Sequence, residues 1–177
     1  MISLSEFISN LSNIVRPNRF KCVVIPPKNM TTELESDVLQ FYIHGGVIPD
    51  RSFGEIELKY LGMSLKLPGN EQLQDLTITV LLDSEWELRD YFEVWCDHIN
   101  SRSDNLKGKM KDLFSEAYID IIPLGFEGEE LTTYRFFNIF PKLVSEIELN
   151  MDSTDSAATF QVTFGYSHWL QMEDDTL

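Results

Sequence analysis

Short runs of β-branched and aromatic residues, each closed by glycine, proline or a polar turn, recur along most of this chain and constrain its fold more than any other feature. Runs of this kind predict β-strands joined by tight connections. The predicted strands are FKCVVI (20–25), VLQFYIH (38–44), EIELKYLGMSLKL (55–67, bending at Gly62), LTITVLL (76–82), AYIDIIPL (117–124), LTTYRFFNIF (131–140), VSEIELNM (144–151) and ATFQVTFGYSHWL (158–170). About seven or eight strands and one helix favour a mainly β sandwich or partly closed barrel with the helix packed on one side.

The strand at 76–82 and the segment after it show which residues face the core. Leucine, isoleucine and valine alternate with threonine in this strand, so one of its faces is apolar. Ser84-Glu85-Trp86-Glu87 then has the S-x-x-E spacing of a capping box, which predicts a helix start. The apolar stripe of this helix consists of Leu88, Tyr91, Phe92, Trp95 and Ile99. We therefore predict a helix over residues 85–99 that covers the sandwich core.

The chain length and the two termini indicate one domain with short extensions. At 177 residues the chain has the length of a single domain. Apolar residues recur at helical spacing through the first fifteen positions and stop before Pro17. We therefore predict a single domain over 1–177, made of a helical arm (1–16), a β-sandwich (17–170) and an acidic tail (171–177).

Cysteine usage and hydropathy indicate the cellular environment. Cys22 and Cys96 are too few for a disulfide framework and do not form a C-x-x-C pair. No apolar run approaches the ~18 to 20 residues of a membrane helix. The N-terminus has Glu6 before its first basic residue, Arg16, which is not typical of a signal peptide. We expect synthesis in a reducing cytoplasm and no membrane anchoring.

The charge balance disfavours tight binding to nucleic acid. The sequence has 14 lysine and arginine residues against 29 aspartate and glutamate residues, a formal net charge of −15. A surface with this balance repels a phosphate backbone. Four of the cations lie together in the connection at 101–116, which we predict to be a loop with little regular structure: Arg102, Lys107, Lys109 and Lys111.

Sequence signatures of catalysis, metal binding and cofactor binding are weak. His44-Gly45-Gly46 resembles the oxyanion loop of esterases, but the chain has no G-x-S-x-G nucleophile elbow, so a plain turn is favoured. His44, His98 and His168 have no ligand partner at metal-binding spacing. Neither of the two glycine-rich nucleotide motifs occurs. We expect no catalytic residues, no metal and no cofactor.

Two pairs of glutamates allow two interpretations. Glu55 with Glu57, and Glu146 with Glu148, each place two carboxylates on one face of a predicted strand. Paired carboxylates serve glycosidases, so a carboxylate-based hydrolase is one alternative. The residues between and beside the glutamates are isoleucine and leucine, which we expect to form a buried opposite face. The glutamates are then the solvated side of a sheet, the interpretation that we favour.

Four segments taken in order resemble the tail tube proteins of contractile bacteriophages, a fold group shared with secretion-system tube proteins. They are RPNRF (16–20), GGVIPD (45–50), LPGNEQLQDLTITVLLDSEWELRDYFEVW (67–95) and FPKLVSEIELNMDSTDSAATFQVTFGYSHW (140–169). The third has the family's sequence of a loop, a D-x-T-x-T/V strand, an acidic turn and a helix that ends in F-x-x-W. The resemblance covers most of the chain, and its specificity lies in the order and spacing of the segments.

The resemblance implies a tail-tube type β-sandwich or split barrel that contributes strands to the inner barrel of a hexameric ring. It implies a structural, self-assembling protein, not an enzyme, that forms a conduit for DNA ejection and an envelope-piercing needle in the virion tail. The implied partners are other copies of the chain in stacked rings, the tail sheath, baseplate, tail terminator and tape measure proteins, and DNA passing through the lumen. A tube-initiator baseplate protein and a secretion-system tube protein are alternatives within the same fold group.

The resemblance also gives two sets of candidate site residues. Polar side chains that alternate with apolar ones are candidates for the lumen-facing surface: Glu55, Glu57, Thr77, Thr79, Glu146 and Glu148. The cations of the predicted loop are candidates for an inter-subunit contact: Arg102, Lys107, Lys109 and Lys111.

Overall fold

The computed structural model describes residues 4, 14–30, 36–104, 106–109, 116–150 and 157–172. The strands in these residues are β1 (Phe20–Ile25), β2 (Ile43–Gly46), β3 (Arg51–Tyr60), β4 (Met63–Leu73), β5 (Leu76–Leu81), β6 (Tyr118–Pro123), β7 (Thr133–Phe137), β8 (Phe140–Val144), β9 (Thr159–Gly165) and β10 (His168–Met172). The helices are α1 (Ser36–Tyr42) and α2 (Glu87–Ile99). The predicted mainly β fold with a packed helix is confirmed, and α1 is an additional short helix.

The strands form two four-stranded antiparallel sheets and a separate hairpin. Sheet A has the order β1-β6-β7-β10, sheet B has the order β2-β5-β9-β8, and β3 pairs with β4. Both sheets contribute side chains to one hydrophobic core. Of the predicted strands, those at 20–25, 76–82 and 117–124 are confirmed to within a residue or two at each end.

Helix α2 packs on the core side of sheet B, as the apolar stripe predicted. Phe92 and Trp95 are fully buried. The Phe92 ring lies 5.9 Å from that of Phe160 and 6.2 Å from that of Phe164, and Trp95 lies 5.8 Å from Phe164. These are edge-on or tilted contacts, the arrangement that aromatic rings favour. The helix and sheet A therefore cover sheet B on the same side.

The predicted capping box at Ser84 is wrong, because Asp83 caps the helix. The Asp83 carboxylate accepts hydrogen bonds from the main-chain N–H of Glu87 at 2.9 Å and of Leu88 at 3.2 Å. Trp86 precedes the helix in the left-handed region, with φ of 67°, and gives no side-chain cap. The turn at Trp86 points the first main-chain N–H groups of the helix at Asp83, the residue before Ser84. The Asp83 carboxylate therefore accepts hydrogen bonds from donors that have no partner within the helix.

The predicted strand at 38–44 is wrong over most of its length. Residues up to Tyr42 belong to α1, and only Ile43 and His44 lie in a strand, β2. Leu39, Tyr42 and Ile43 follow one another at helical spacing and pack into the core, whereas Phe41 is 77% exposed. The last turn of α1 buries Leu39 and half-buries Tyr42 on one side, and the chain enters β2 with Ile43 on that same side, an arrangement that strand alternation from 38 onward cannot give.

The predicted single strand at 55–67 is two strands. Leu61 and Gly62 both have positive φ, 48° and 79°, and Tyr60 pairs with Met63, so the chain reverses in a two-residue turn. Positive φ at both central residues defines the type I′ hairpin turn. The second strand also continues through Pro68-Gly69-Asn70 to Leu73, beyond the predicted end.

Two predicted strands in the last third of the chain are each divided. The segment 131–140 contains β7, a turn at Asn138 with φ of 55°, and the start of β8, while 158–170 contains β9 and part of β10. The predicted strand at 144–151 is wrong from Ser145 to Asn150, which are irregular. The Ser145 N–H still donates to the Gln161 carbonyl at 2.8 Å. The Gln161 N–H donates in return to the Ser145 side-chain oxygen at 2.8 Å instead of to its main-chain carbonyl, so the ladder with β9 ends after this bond.

The predicted loop at 101–116 and the two predicted terminal extensions lie only partly within the described residues. Residues 101–104 and 106–109 form turns and one isolated pairing, Asn100 with Lys107, so the predicted loop is confirmed for them. The N-terminal helix at 1–16 lies almost wholly outside the described residues, and so do Lys111, Met151 and residues 173–177 of the tail. Among the described residues no helix has the length and hydropathy to cross a membrane.

Candidate assembly surface

The β3–β4 hairpin projects from the sandwich and has two chemically different faces. No other element of the described chain makes extensive contact with either of its strands. Cross-strand pairs alternate between apolar and polar along its length. The apolar pairs are Ile56 with Leu67, Leu58 with Leu65, and Tyr60 with Met63; the polar face carries Glu55, Glu57, Lys59, Ser64 and Lys66. The hairpin is therefore amphipathic, with the turn at Leu61-Gly62 at its tip.

The apolar face of the hairpin is exposed. Its six side chains are 39–72% accessible, and Leu61 at the tip is 83% accessible. The expectation that Ile56 and Leu58 face the core is therefore wrong, because no layer of the described chain covers this side of the hairpin. A two-stranded hairpin without such a layer is only marginally stable in water. A contiguous exposed apolar face of this kind marks an interaction surface.

The polar face of the hairpin carries no net charge, in a chain that is strongly acidic. Ion pairs link its two strands: Lys66 with Glu55 at 2.8 Å in the middle of the hairpin, and Arg51 with Glu71 at 2.6 Å near its foot. Glu57 accepts a hydrogen bond from Ser64. The segment 51–73 has three basic and three acidic side chains, against −15 for the whole chain. Copies can therefore approach the hairpin without the repulsion that the rest of the surface creates.

A recess of about 290 Å³ lies between the foot of the hairpin and sheet B. It is lined by Leu73, Gln74, Asp75, Phe140, Lys142, Gly165 and Tyr166. Burial raises the pKa of Tyr166, and the nearby carboxylates Asp75, Asp50 and Glu71 raise it further. The phenol therefore stays protonated and neutral well above neutral pH.

The side of β5 and β9 opposite their buried set carries only uncharged residues. Opposite the buried set of β5 and β9, Thr77 pairs with Thr163, Thr79 with Gln161, and Leu81 with Thr159. The hydroxyls of Thr77 and Thr163 lie 3.2 Å apart and share a hydrogen bond. Gly45 of β2 pairs with Thr79, and Leu143 of β8 pairs with Thr163. We call these eight residues the threonine face.

Sheet B ends in two edges that could accept further strands. In the described chain, no strand pairs with the outer edge of β2 or of β8. An unpaired edge presents main-chain N–H and C=O groups to any strand of suitable register. The two edges differ in sequence and in backbone, since β2 has an irregularity between Ile43 and Gly45 and β8 has one between Pro141 and Leu143.

The structure distributes the predicted lumen candidates over three places. Thr77 and Thr79 lie on the threonine face, Glu55 and Glu57 on the polar face of the hairpin, and Glu146 and Glu148 on the exposed irregular segment after β8. The two pairs of glutamates lie on different elements, and none of them lines the recess at the foot of the hairpin, whereas the hydrolase alternative would need two carboxylates on one cleft. The apolar face of the hairpin is the feature that sequence analysis missed. Its signal was a leucine-glycine pair between alternating apolar runs.

Arg102, one of the predicted inter-subunit cations, pairs with acids of its own chain. It contacts Glu93, and its Nε lies 3.4 Å from the Asp97 carboxylate. The hydrogen bond to Glu93 raises the pKa of Arg102, with smaller contributions from the charges of Glu93 and Asp97. Lys107 and Lys109 lie in the same connection, where the Lys107 backbone pairs with Asn100. The connection is thus held against the acidic end of α2.

The buried ionisable groups are held in unreactive states. Desolvation raises the pKa of the Cys22 thiol to about 12, and burial also raises the pKa of Cys96. Asp120, the buried acid of the described residues, accepts two hydrogen bonds from Arg135 at 2.8 and 2.7 Å. This bidentate bond raises the pKa of Arg135. No group of three or more metal-ligating side chains occurs in the described part of the chain.

The model of the family described as "Phage tail tube protein" matches residues 15–172. No match is found among curated proteins.

Three solved structures illustrate the fold that this chain shares with other assemblies. A chain of the sheath-tube complex of the extracellular contractile injection system PVC is 19% identical, with coverage of 97% of this chain and 99% of that chain and a TM-score of 0.62. A chain of the PVC sheath/tube terminator complex is 20% identical, with coverages of 90% and 97% and a TM-score of 0.62. A chain of the anti-feeding prophage baseplate is 11% identical, with coverages of 92% and 97% and a TM-score of 0.67.

These similarities confirm the predicted tail-tube type fold over nearly the whole chain. The family match covers both sheets, the hairpin and helix α2. This chain belongs to the phage tail tube protein family.

Proposed function

We propose that this chain is the structural subunit of an inner tail tube of the contractile, phage-like type, and that it polymerises with copies of itself. The observation that carries the proposal is the amphipathic hairpin, whose apolar face is left uncovered by the described part of the chain. Burying the remaining exposed part of each of its apolar side chains would contribute roughly 1 kcal/mol. Association between copies would therefore complete the fold.

The two edges of sheet B support ring formation. Because the β2 and β8 edges are different, joining the β2 edge of one copy to the β8 edge of the next is a head-to-tail contact. Head-to-tail contacts produce closed rings or open helices, not two-fold dimers. The apolar face of the hairpin is a second surface, separate from the main-chain edges of β2 and β8, so it is suited to contacts between stacked rings.

The family resemblance suggests six copies in a ring, which gives a channel of useful size. Six copies of the four-stranded sheet B would place roughly 24 strands side by side, with a circumference near 115 Å at ~4.8 Å per strand. Because strands in a closed barrel tilt by ~35–45°, the diameter through the backbone would rise from about 37 Å to roughly 45–50 Å, and side chains would leave a bore of roughly 35 to 40 Å. Duplex DNA could pass through such a bore.

We extend the proposal to partners and location. The similar chains come from complexes with a sheath, a terminator and a baseplate, and we propose the same three kinds of partner here. A tape measure protein and DNA in transit are proposed occupants of the lumen. The location would be the tail of a virion or phage-like particle after synthesis in the host cytoplasm. The role would be structural and non-enzymatic.

The basic connection is a proposed contact between subunits. Lys107 and Lys109, with Lys111, are cations in a chain with a net charge of −15. A cationic loop on one copy can face an acidic surface on the next, which fixes register more than it adds affinity. Arg102 is already paired within its own chain, so its contribution to such a contact would be smaller.

Electron microscopy and sedimentation of the purified protein test the proposal directly. We expect rings or hollow rods in negative stain, promoted by salt because screening lowers the repulsion between copies that each carry −15. A tube-initiator would instead give rings that do not stack by themselves. A protein that stays monomeric at high concentration across a wide range of salt would contradict tube formation.

A further inference from the structure

The residues of the threonine face are uncharged. Its eight residues include four threonines and one glutamine, and none of them is ionisable. At one end of the face, Asp75 and Lys142 form an ion pair at 2.7 Å. At another, the exposed Glu146 follows Ser145, whose main-chain N–H donates to the Gln161 carbonyl at 2.8 Å. Other exposed acids lie on α2, for example Glu87 and Asp90. The eight residues of the threonine face are thus themselves uncharged, and the ionisable side chains near them lie at its border.

The packing of the other layers determines which side of a sheet B barrel faces its axis. Sheet A and helix α2 both cover sheet B on its core side. A second layer of this thickness needs the larger circumference outside a closed sheet, because packed layers add about 10 Å to the radius. The threonine face has no second layer of the described chain on it, and five of its eight residues are threonine or glycine, so it is the face that fits the concave, inner side.

We infer that the threonine face forms an electrically neutral, hydroxyl-bearing channel wall, so that passage through the tube does not depend on the sign of the charge on the cargo. The inference rests on the proposed tube function and specifies its lumen. It keeps Thr77 and Thr79 as lumen-facing residues and removes Glu55, Glu57, Glu146 and Glu148 from the wall. A wall of hydroxyl and amide groups offers no fixed charge to retain either a polyanion or a polycation.

Ion selectivity of single assembled tubes mounted across a solid-state nanopore tests the inference. Under a salt gradient, we expect wild-type tubes to have a cation-to-anion permeability ratio close to one. Gln161→Glu should raise that ratio several-fold and Gln161→Lys should invert it, because each variant places a ring of like charges in the bore. Gln161 is exposed on β9, so the near-isosteric glutamate has room.

Gln171 provides the matched control, since it is an exposed glutamine on β10 of sheet A. Gln171→Glu and Gln171→Lys should leave the permeability ratio unchanged. If the charged Gln161 variants do not assemble, Gln161→Cys tubes can be modified after assembly with small anionic or cationic thiol reagents, with the unmodified sequence as background.

The possible results separate the inference from the function on which it rests. Wild-type tubes that are strongly cation-selective, or tubes whose ratio does not respond to charge at Gln161, would overturn the neutral wall while leaving tube formation intact. Failure of the wild-type protein to form any ring or tube would overturn the proposed function, and the inference with it.

Discussion

Two antiparallel strand pairs in this molecule have the same alternating pattern but different surroundings. In β5–β9 the apolar side chains are fully buried beneath sheet A and α2. In β3–β4 the equivalent side chains remain exposed, because the described chain provides no layer over them. Alternation therefore shows only that one face of a strand pair needs cover. Whether the cover comes from the same chain is decided by the tertiary fold.

Apolar burial therefore stabilises the folded monomer in β5–β9 and stabilises association between copies in β3–β4. Burial in β5–β9 stabilises each molecule regardless of concentration, since all the partners are on one chain. Burial of the hairpin face becomes available only when copies meet, so it depends on protein concentration by mass action. Substitutions in the two regions should accordingly affect different measurements.

The largest expected effect is on the covered region. Phe92→Ala should lower the free energy of unfolding by about 3–5 kcal/mol, because it removes a fully buried ring that contacts Phe160 and Phe164. A loss of this size is a large part of the ~5–15 kcal/mol that stabilises a typical domain. Urea denaturation at a concentration below assembly measures it.

The control for this variant lies on the same helix. Val94 is 46% exposed, so Val94→Ala should change the free energy of unfolding by less than about 0.5 kcal/mol. A near-normal unfolding midpoint for Phe92→Ala would mean that α2 does not cover the core as described.

The second effect is on the exposed region, and it should appear in assembly and not in folding. Leu58→Asn should weaken each contact between copies by about 1–2 kcal/mol, since the side chain loses apolar area that association would bury. Repeated at every contact of a ring or tube, this loss should prevent polymerisation at concentrations where the wild type assembles. Sedimentation velocity and thermal unfolding of the dilute protein distinguish assembly from stability.

Lys59 is the matched control for Leu58, since it is the next residue on the opposite face of the same strand. Lys59→Asn should leave assembly close to that of wild type. Equal loss of assembly in both variants would indicate that the hairpin acts through its overall shape and not through its apolar face.

A smaller effect is expected at the start of α2. Asp83→Ala removes the acceptor of two main-chain hydrogen bonds and should cost about 1 kcal/mol in the free energy of unfolding. Ser84→Ala should cost almost nothing, although the sequence pattern favoured Ser84 as the cap. A larger loss from Ser84→Ala than from Asp83→Ala would restore the capping-box interpretation.

The helix start shows how far sequence reasoning could proceed. The stripe of α2 was predictable because packing imposes a strict period on it, and Phe92 and Trp95 are buried as that period requires. The cap was not predictable to the residue, because it depends on the left-handed backbone at Trp86. Patterns that many residues share could be read from the sequence, whereas features that depend on one backbone angle could not.

The hairpin shows the second limit of sequence reasoning. The alternation of 55–67 was read correctly, but its interpretation as one core-facing strand failed in two ways. The reversal at Leu61-Gly62 puts a leucine in a conformation that asparagine or glycine adopts more readily, so the turn was not recognised. The absence of cover for Ile56 and Leu58 is a property of the whole fold and has no local signature. The place of Thr77 and Thr79, opposite a buried face, did follow from alternation alone.

The smallest expected effect is at the hairpin tip, where local stability and association should change in opposite directions. Leu61 has φ of 48° and is 83% exposed, so the chain holds a bulky apolar side chain in a strained, solvated position. Leu61→Asn should therefore stabilise the isolated hairpin by roughly 0.5–1 kcal/mol, because asparagine is favoured at the first position of a type I′ turn. Leu61→Asn should also weaken association slightly, provided that the Leu61 side chain contacts a neighbouring copy in the assembly. Hydrogen exchange of the β3 and β4 amides in dilute protein reports the first change, since it measures local opening, and the concentration dependence of sedimentation reports the second.

Gly62→Ala is the control, because it strains the same turn at φ of 79° without meeting any neighbouring atom. An asparagine variant that protects the hairpin and assembles as well as wild type would show that the tip lies outside the contact, which would then be confined to the six side chains of the apolar face.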